Sequence, residues 1–95
     1  MKYFDWDPEK NISLQLSRGV SFEDMLVAFE DGNLLDVINH GNQKKYPQQK
    51  VLIIALGNYA YMVPFVEDEE KYFLKTIIPS RKFTKKYLTS GGKNV

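Results

Sequence analysis

Basic side chains recur at helical spacing near the end of the sequence. Lys82, Lys85 and Lys86 follow one another at i, i+3 and i+4, which would place three cations on one face of a helix. Such a cluster costs an isolated helix about 0.2–0.5 kcal/mol per like-charged pair. Clustered cations bind phosphate groups through contacts that weaken as the salt concentration rises. The spacing therefore indicates a surface for a polyanion, and nucleic acid is the first candidate.

The distribution of charge along the chain points in the same direction. Although the net charge is +1, residues 1–42 hold three Lys or Arg and eight Asp or Glu, whereas residues 43–95 hold ten and four. Residues 71–95 hold seven basic residues and no acidic one. This asymmetry favours a polyanion-binding surface, although strand edges and terminal helices also carry Lys for solubility. Lys75 belongs to the same cationic set and is included in the predicted RNA-binding residues.

Other side chains that could do chemistry are few. His40 is the only histidine, and near a basic surface an imidazole can act as general acid or base; an ordinary polar turn residue is the alternative. The chain has no cysteine, so thiolate sites and thiol catalysis are excluded. We therefore expect no metal ion and no cofactor. Phe83 and Tyr87 either stack nucleic-acid bases or dock their helix on the sheet, and docking is the favoured interpretation.

Two helices are predicted near the N-terminus. Asp7 before Pro8 is a strong start for a helix over residues 8–18, in which Ile12 and Leu16 share one face. A second helix starts after Ser21, with Asp24 in the capping-box position, and ends at Gly32. Its apolar residues repeat at i, i+3, i+4 and i+7: Phe22, Met25, Leu26 and Phe29.

Strand patterns follow the two helices. Alternation and turn residues predict strands over residues 34–38, 50–56, 59–66 and 71–78, and a helix over 81–88. Gly57-Asn58 predicts a two-residue type II′ hairpin turn, and Pro64 predicts an edge or a bulge because proline lacks a ladder donor. We therefore predict an α+β fold with two N-terminal helices, an antiparallel sheet of about four strands and a short C-terminal helix.

The length of 95 residues fits a single domain, predicted over residues 1–90, with a flexible tail over 91–95. The longest apolar run, 51–56, is far shorter than the roughly 20 residues that span a bilayer. We therefore expect no membrane association, and the absence of cysteine makes the cytoplasm the default compartment.

Three blocks of the sequence resemble the BrnT family of type II toxin–antitoxin ribonuclease toxins. They are Phe-Asp-Trp-Asp-Pro-Glu-Lys-Asn at 4–11, Arg-Gly-Val-Ser-Phe-Glu-Asp at 18–24 and Ile-Ile-Pro-Ser-Arg-Lys-Phe-Thr-Lys-Lys at 77–86. The blocks come in the family's order and span nearly the whole chain. One departure is Ser17-Arg18, where many family members have Lys-His, so a role of that histidine does not transfer.

The resemblance implies a RelE-like fold, cleavage of RNA and a cognate antitoxin. In such systems the antitoxin neutralises the toxin and usually carries a ribbon-helix-helix domain. Operator DNA is then contacted only through the antitoxin. The basic run of the family falls on Arg81, Lys82, Lys85 and Lys86.

The chemistry that the resemblance implies is metal-independent RNA cleavage, in which a 2′-hydroxyl attacks the neighbouring phosphate. Arg81 is the best candidate for the phosphate clamp, because its planar fork grips two phosphate oxygens. Arg18 would be a second clamp if it reaches the same cleft. Proton transfer remains open among His40, Lys82, Tyr59 and Tyr61.

Two alternatives compete with the toxin hypothesis. One is a non-catalytic interaction module, such as a decayed toxin or an adaptor, that binds a partner through its basic helix and a strand edge. The other is a plain nucleic-acid-binding domain, which would bind RNA or DNA in a salt-dependent way without cleavage.

Overall fold

The computed structural model of the chain describes residues 2–39, 44–45 and 49–89, so the predicted tail over 91–95 lies outside the described residues. The strands are β1 (Tyr3–Trp6), β2 (Leu34–Asn39), β3 (Gln49–Leu56), β4 (Tyr59–Glu67), β5 (Lys71–Leu74) and β6 (Ile78–Pro79). The helices are α1 (Pro8–Arg18), α2 (Phe22–Glu30) and α3 (Arg81–Thr84), which continues as a π-helical turn, Lys85–Thr89. The predicted α+β class is confirmed.

Both N-terminal helices begin at the predicted capping residues. The Asp7 side chain accepts a hydrogen bond from the Glu9 N–H at 3.0 Å, and α1 ends at Gly19 with a φ of 70°. The Ser21 hydroxyl accepts from the Asp24 N–H at 3.1 Å, and the Asp24 carboxylate accepts from the Ser21 N–H at 2.9 Å. These caps satisfy N–H groups that have no partner inside the helix. Local sequence therefore decides where both helices start.

The buried face of α1 differs from the apolar face that the sequence suggests. Ile12 and Leu16 are 58% and 84% exposed, whereas Leu14 and Asn11 are 2% and 6% exposed. The face predicted from Ile12 and Leu16 is therefore the outer one. The helix turns a polar side chain inward because that side chain has partners there.

Asn11 connects α1 to the start of α2. Its Oδ1 accepts a hydrogen bond from the Phe22 N–H at 2.8 Å, and its Nδ2 donates to Glu23 Oε1 at 2.7 Å. Phe22 is the first residue of α2, so Asn11 supplies an acceptor to an N–H that lacks one within the helix. The hydrogen bond from Asn11 also lowers the pKa of the Glu23 carboxyl below its ordinary value.

The sheet is mixed, whereas the sequence predicted an antiparallel one. The strand order is β1-β5-β4-β3-β2, and β6 pairs with β4. Strand β1 runs parallel to β5, with Tyr3 opposite Lys71, and the other pairings among the described residues are antiparallel. No strand is predicted before α1 from the sequence. Trp6 is assigned there to packing and Asp7 to the cap of α1, and β1 is left unrecognised.

The strand predicted over 71–78 divides into β5 and β6 opposite Pro64. Both pair with β4, but between the two ladders the three residues 75–77 face only the two residues 63–64. One extra residue on one strand is a bulge, and it occurs where proline has no N–H to donate. The structure thus has the irregularity that Pro64 predicts, and the chain leaves the sheet for α3 just beyond it.

The β3–β4 hairpin closes through Gly57-Asn58, as predicted. Gly57 has a φ of 65°, and none of the described non-glycine residues, Asn58 among them, has a positive φ. A positive φ at the first turn position alone is the signature of a type II′ turn. Leu56 and Tyr59 pair directly beside it, which aligns the two longest strands.

Helices lie on both faces of the sheet. On one face, α1 and α2 pack over a core that includes Leu52 and Ile54 of β3. On the opposite face, α3 packs through Phe83 over Val51 and Ile53 of the same strand. Because side chains alternate along a strand, β3 serves both cores. We call the two sides the α1/α2 face and the α3 face.

Of the helices in residues 2–39, 44–45 and 49–89, none has the length and apolar character needed to span a membrane.

Two buried hydroxyl groups hold α3 in place: one caps the helix and the other bonds it to the sheet. The Ser80 hydroxyl accepts from the Phe83 N–H at 3.1 Å and caps α3. The Thr84 hydroxyl donates to the Ser80 carbonyl at 2.7 Å and accepts from the Ala60 N–H of β4 at 2.8 Å. Ser80 and Thr84 are 8% and 7% exposed, so water cannot replace these bonds easily. The position of α3 on the sheet therefore depends on hydrogen bonds as well as on apolar packing.

Replacing Thr84 with Val keeps the shape of the side chain and removes its hydroxyl. The buried Ala60 N–H then loses its acceptor, so we expect the free energy of unfolding to fall by about 1–3 kcal/mol. Thr84→Ser retains the hydroxyl and is the matched control. Urea unfolding measures both variants, and a Val variant at least as stable as the Ser variant would show that this bond contributes nothing.

Candidate nucleic-acid interface

Arg81 and Lys82 stand at the exposed start of α3. Because Ser80 caps this helix, the next two residues form its first turn, and both are exposed. Neither ion pair found among the described residues involves the Arg81 guanidinium. A guanidinium presents its N–H donors in a flat fork that suits two oxygens of one phosphate. This end of α3 therefore offers cations suited to phosphate.

Phe83 and Tyr87 attach the same segment to the sheet. Phe83 is 9% exposed and belongs to the core of the α3 face, on which Tyr87 also packs. The two rings stack on each other with centroids 6.1 Å apart. The docking interpretation is therefore confirmed, and the buried ring of Phe83 is not open to a nucleic-acid base.

The predicted single face of three lysines is altered by the helix geometry. The α-helical part ends at Thr84, and Lys85 and Lys86 lie in the π-helical turn. The i, i+3, i+4 argument assumes 3.6 residues per turn, which no longer holds in a π-helix. Lys82, Lys85 and Lys86 are all exposed, but the prediction of one continuous α-helix over 81–88 is corrected.

A groove beside α3 brings Lys82 next to the sheet. It has a volume of about 400 Å³, and its apolar lining includes Met62, Pro64 and Ile78. Its polar side chains are Asn39, Ser80 and Lys82, of which the Ser80 hydroxyl is already engaged as a cap. We call this space the α3 groove. Of the cations predicted from the sequence, Lys82 is the one that lines it.

Lys75 lies on the α3 face beside an aromatic ring. In β5, Tyr72 and Leu74 pack on the α1/α2 core, so the alternating neighbours Lys71 and Phe73 project to the α3 face. The Nζ atoms of Lys71 and Lys75 lie 5.9 Å and 5.6 Å from the centroid of the Phe73 ring. The structure thus groups two cations around one ring.

Lys75 is also connected to the α3 groove. Its backbone N–H donates to the carbonyl oxygen of Pro64 at 2.8 Å, and Pro64 lines the groove. Lys75 and Lys82, which the sequence assigns to RNA binding, therefore border one stretch of the α3 face. The bulge at Pro64 produces this arrangement, because it separates β5 from the segment that carries α3.

Arg18 contacts the backbone that leads to α3. Its guanidinium donates a hydrogen bond to the carbonyl oxygen of Ile77, 59 positions later in the chain. Ile77 lies in the bulged segment and its side chain is fully buried. Arg18 therefore contacts the backbone at Ile77, which lies four positions before Arg81 in the sequence. The contact uses one of the five guanidinium N–H groups and leaves the others for further acceptors.

The remaining described candidates for proton transfer, Tyr59 and Tyr61, lie in β4. His40 lies outside the described residues. The rings of Tyr59 and Tyr61 are 5.8 Å apart, and Tyr61 packs on the α1/α2 core, whereas Ala60 between them lies in the core of the α3 face. Both tyrosines therefore project away from the α3 groove, and Lys82 remains the described candidate that lines it.

Asp36 and Tyr87 form a polar contact that sequence analysis missed. The Tyr87 hydroxyl donates to Asp36 Oδ2 at 2.6 Å and joins the π-helical turn to β2. This hydrogen bond lowers the pKa of the Asp36 carboxyl and raises the pKa of the Tyr87 hydroxyl. The two residues are 51 positions apart and belong to no motif, so no local signal in the sequence announces the pair.

Tyr87→Phe removes this hydrogen bond and keeps the packed ring. Because the pKa of Asp36 is lowered in the folded chain, the bond stabilises above the ordinary Asp pKa and is lost as pH falls below about 4. Because the pKa of Tyr87 is raised, stabilisation is also lost as pH rises well above about 10. We expect the wild type to unfold at a higher urea concentration than the variant between these limits. A difference that is unchanged at pH 3 would contradict this assignment.

A second groove lies on the α1/α2 face, beside α2. Its volume is about 420 Å³, and its lining is mainly aromatic and aliphatic. The lining includes Phe4, Phe29, Leu52, Phe65 and Tyr72. The Lys2–Glu67 ion pair lies at the same site, as does Lys50. We call this space the α2 groove; its lining is mostly apolar, and it lies on the opposite side of the sheet from Lys82.

Within residues 2–39, 44–45 and 49–89, no group of three or more His, Asp or Glu side chains is placed to hold a metal ion. The resemblance to the BrnT family stays a prediction from the sequence. Comparison with family models, with curated proteins and with solved structures finds no match to this chain.

Proposed function

We propose that this chain is the toxin of a type II toxin–antitoxin pair, a cytoplasmic endoribonuclease that cleaves RNA without a metal ion. The three sequence blocks at 4–11, 18–24 and 77–86 support the family assignment. The fold supports it at the level of class, since an α+β architecture agrees with the RelE-like fold that the resemblance implies.

One observation carries the proposal of RNA as the substrate. Lys82 lines the α3 groove, with Arg81 beside it at the exposed start of α3, and Lys75 lies across the bulge. All three belong to a segment without any acidic residue, 71–95. One cation in a groove and two more close to it attract a phosphate backbone and can stabilise negative charge that develops there.

The proposed reaction follows from these residues. The 2′-hydroxyl of one nucleotide gives its proton to a solvent water as its oxygen attacks the adjacent phosphorus. The bond to the 5′-oxygen breaks, and the products are a 2′,3′-cyclic phosphate and a 5′-hydroxyl. Negative charge grows on the phosphate oxygens in the transition state, and the Arg81 guanidinium stabilises it. Lys82 donates the proton that the leaving 5′-oxygen takes up. Arg18 fixes the backbone at Ile77 and thereby positions α3.

Exposed apolar side chains and the α2 groove support the proposal of an antitoxin partner. Leu16 is 84% exposed and Val27 is 57% exposed on the outer sides of α1 and α2, and the α2 groove is apolar. Exposed apolar surface of this kind gives a protein partner something to bury. We propose a small antitoxin, with a ribbon-helix-helix domain that contacts operator DNA on behalf of the complex.

Expression in bacteria tests the system as a whole. Tightly induced wild-type chain should arrest growth, and co-expression of the adjacent reading frame should relieve the arrest. Arg81→Ala, expressed to the same level, should leave growth unaffected. Normal growth with abundant folded wild-type protein would contradict the proposal.

A non-catalytic interaction module is the second candidate. The exposed apolar side chains and the α2 groove favour it, because they suit a protein partner whether or not RNA is cleaved. This candidate expects a stable complex with the product of the adjacent reading frame and no growth arrest by the chain alone.

A further inference from the structure

The Phe73 ring lies in a part of the α3 face that the core under α3, as far as the described residues show it, does not reach. The core beneath α3 is built from β2, β3 and β4, and no residue of β1 or β5 belongs to it among the described residues. Next to Phe73 on this face, Tyr3 is 53% exposed and the Asp5 side chain is 43% exposed. Phe73 itself is partly exposed. Part of the Phe73 ring, with the Lys71 and Lys75 ammonium groups over it, is therefore open to solvent beside the α3 groove.

The charges around this ring are unequal at its two ends. Lys71 lies 3.6 Å from the Asp5 carboxylate, which offsets part of its charge, and it follows the acidic turn at 67–70. Lys75 follows Phe73 on the side of Pro64 and the α3 groove, and none of the ion pairs among the described residues involves it. A polyanion on this ring is therefore drawn towards Lys75 and Lys82, away from the acidic turn.

Cations beside an aromatic ring on a sheet surface match one class of ligand. An unpaired nucleotide offers a base that stacks on the ring and a phosphate on each side that contacts a cation. In a duplex the bases are already stacked on one another, so an isolated ring on a sheet cannot reach a base face. The arrangement therefore fits single-stranded RNA.

We propose that Phe73 stacks one base of single-stranded RNA, with Lys75 on the neighbouring phosphate, and that the strand continues from there to Lys82 in the α3 groove. This inference rests on the proposed function, since it names the form of RNA that the same cationic surface takes. It adds a residue, Phe73, that the basic-cluster argument did not include.

Binding of a fluorescein-labelled oligouridine of eight nucleotides, followed by fluorescence anisotropy, tests the proposal. Phe73→Ala should weaken binding by about 5- to 150-fold, whereas Phe73→Tyr should bind like the wild type. Phe73→Leu retains apolar volume without an aromatic face and should also bind weakly. It therefore separates loss of stacking from loss of folding, which urea unfolding checks for each variant.

Two further measurements vary the salt concentration and replace the single-stranded RNA with a duplex. Lys75→Ala should reduce the slope of log affinity against log salt concentration by about 0.7, while Phe73→Ala should leave that slope unchanged. Binding to a double-stranded RNA should be indifferent to Phe73→Ala. Equal affinity of wild type, Phe73→Ala and Phe73→Leu for the oligouridine would overturn this inference and leave the ribonuclease proposal standing. A wild type that binds no RNA would overturn both.

Discussion

Replacing Arg81 with Ala is expected to slow RNA cleavage by roughly 10²- to 10³-fold, the usual effect of removing one group that stabilises charge in a transition state. Arg81 is exposed at the first turn of α3, and no described carboxylate pairs with it, so folding does not depend on its side chain. We expect the free energy of unfolding to change by less than about 0.5 kcal/mol. Single-turnover cleavage of a labelled RNA measures the first effect and urea unfolding the second.

Two variants control this experiment. Arg81→Lys keeps the charge and loses the flat fork, so its cleavage rate should fall between those of the wild type and Arg81→Ala. Lys10→Ala removes one positive charge from α1, which lies on the other face of the sheet, and should leave the rate nearly unchanged. If Lys10→Ala and Arg81→Ala were equally impaired, general electrostatic attraction and not a phosphate clamp would explain the effect.

Replacing Asn11 with Leu is expected to lower the free energy of unfolding by about 2–3 kcal/mol. Asn11 is 6% exposed, and Leu leaves the Phe22 N–H at the start of α2 without its acceptor and removes the Asn11 donor from the Glu23 carboxylate. The side chains are similar in size, so the loss comes from hydrogen bonding more than from packing. Urea unfolding gives the magnitude, and a rise of the Glu23 pKa, followed by NMR, gives an independent readout.

Ile12→Ala is the matched control for Asn11→Leu. Ile12 is the next residue and is 58% exposed, so its truncation should change stability by less than about 0.5 kcal/mol. Replacing the polar residue Asn11 should therefore lower the free energy of unfolding more than replacing the apolar residue Ile12, the reverse of what is usual in a helix. A variant Ile12→Ala that is less stable than Asn11→Leu would contradict the packing of α1 described above.

The parts of the fold that local sequence controls were predicted well. Asp7 and Ser21 cap the helices because their side chains reach N–H groups only two or three residues away. Gly57 closes the hairpin for an equally local reason, its positive φ. Pro64 marks the bulge, since its missing N–H is a property of the residue itself.

The features of the fold that were not predicted depend on contacts between segments that are distant in the sequence. Strand β1 pairs in parallel with β5 across 68 positions, from Tyr3 to Lys71, and nothing within its four residues indicates that partner. The sequence pattern of α1, with Ile12 and Leu16 on one face, did not indicate which side is buried for a similar reason, because Asn11 is held inward by Phe22 and Glu23 of the next helix.

The candidate site was partly accessible from the sequence. The absence of acidic residues after position 70 identified the cationic segment, but periodicity could not tell that α-helical spacing ends at Thr84. Phe73 was visible as an alternating neighbour of Lys71 and Lys75, yet only the position of α3 shows that its face is uncovered. The pairing of Asp36 with Tyr87 had no sequence signal at all.

The central claim, that this chain cleaves RNA by itself, is tested most directly by incubating purified wild-type protein and Arg81→Ala, prepared in parallel, with a labelled single-stranded RNA in EDTA. We expect the wild type to produce fragments that end in 2′,3′-cyclic phosphate and the variant to leave the RNA largely uncut. RNA that stays intact at every concentration of folded wild-type protein, or equal cleavage by both preparations, would contradict the account.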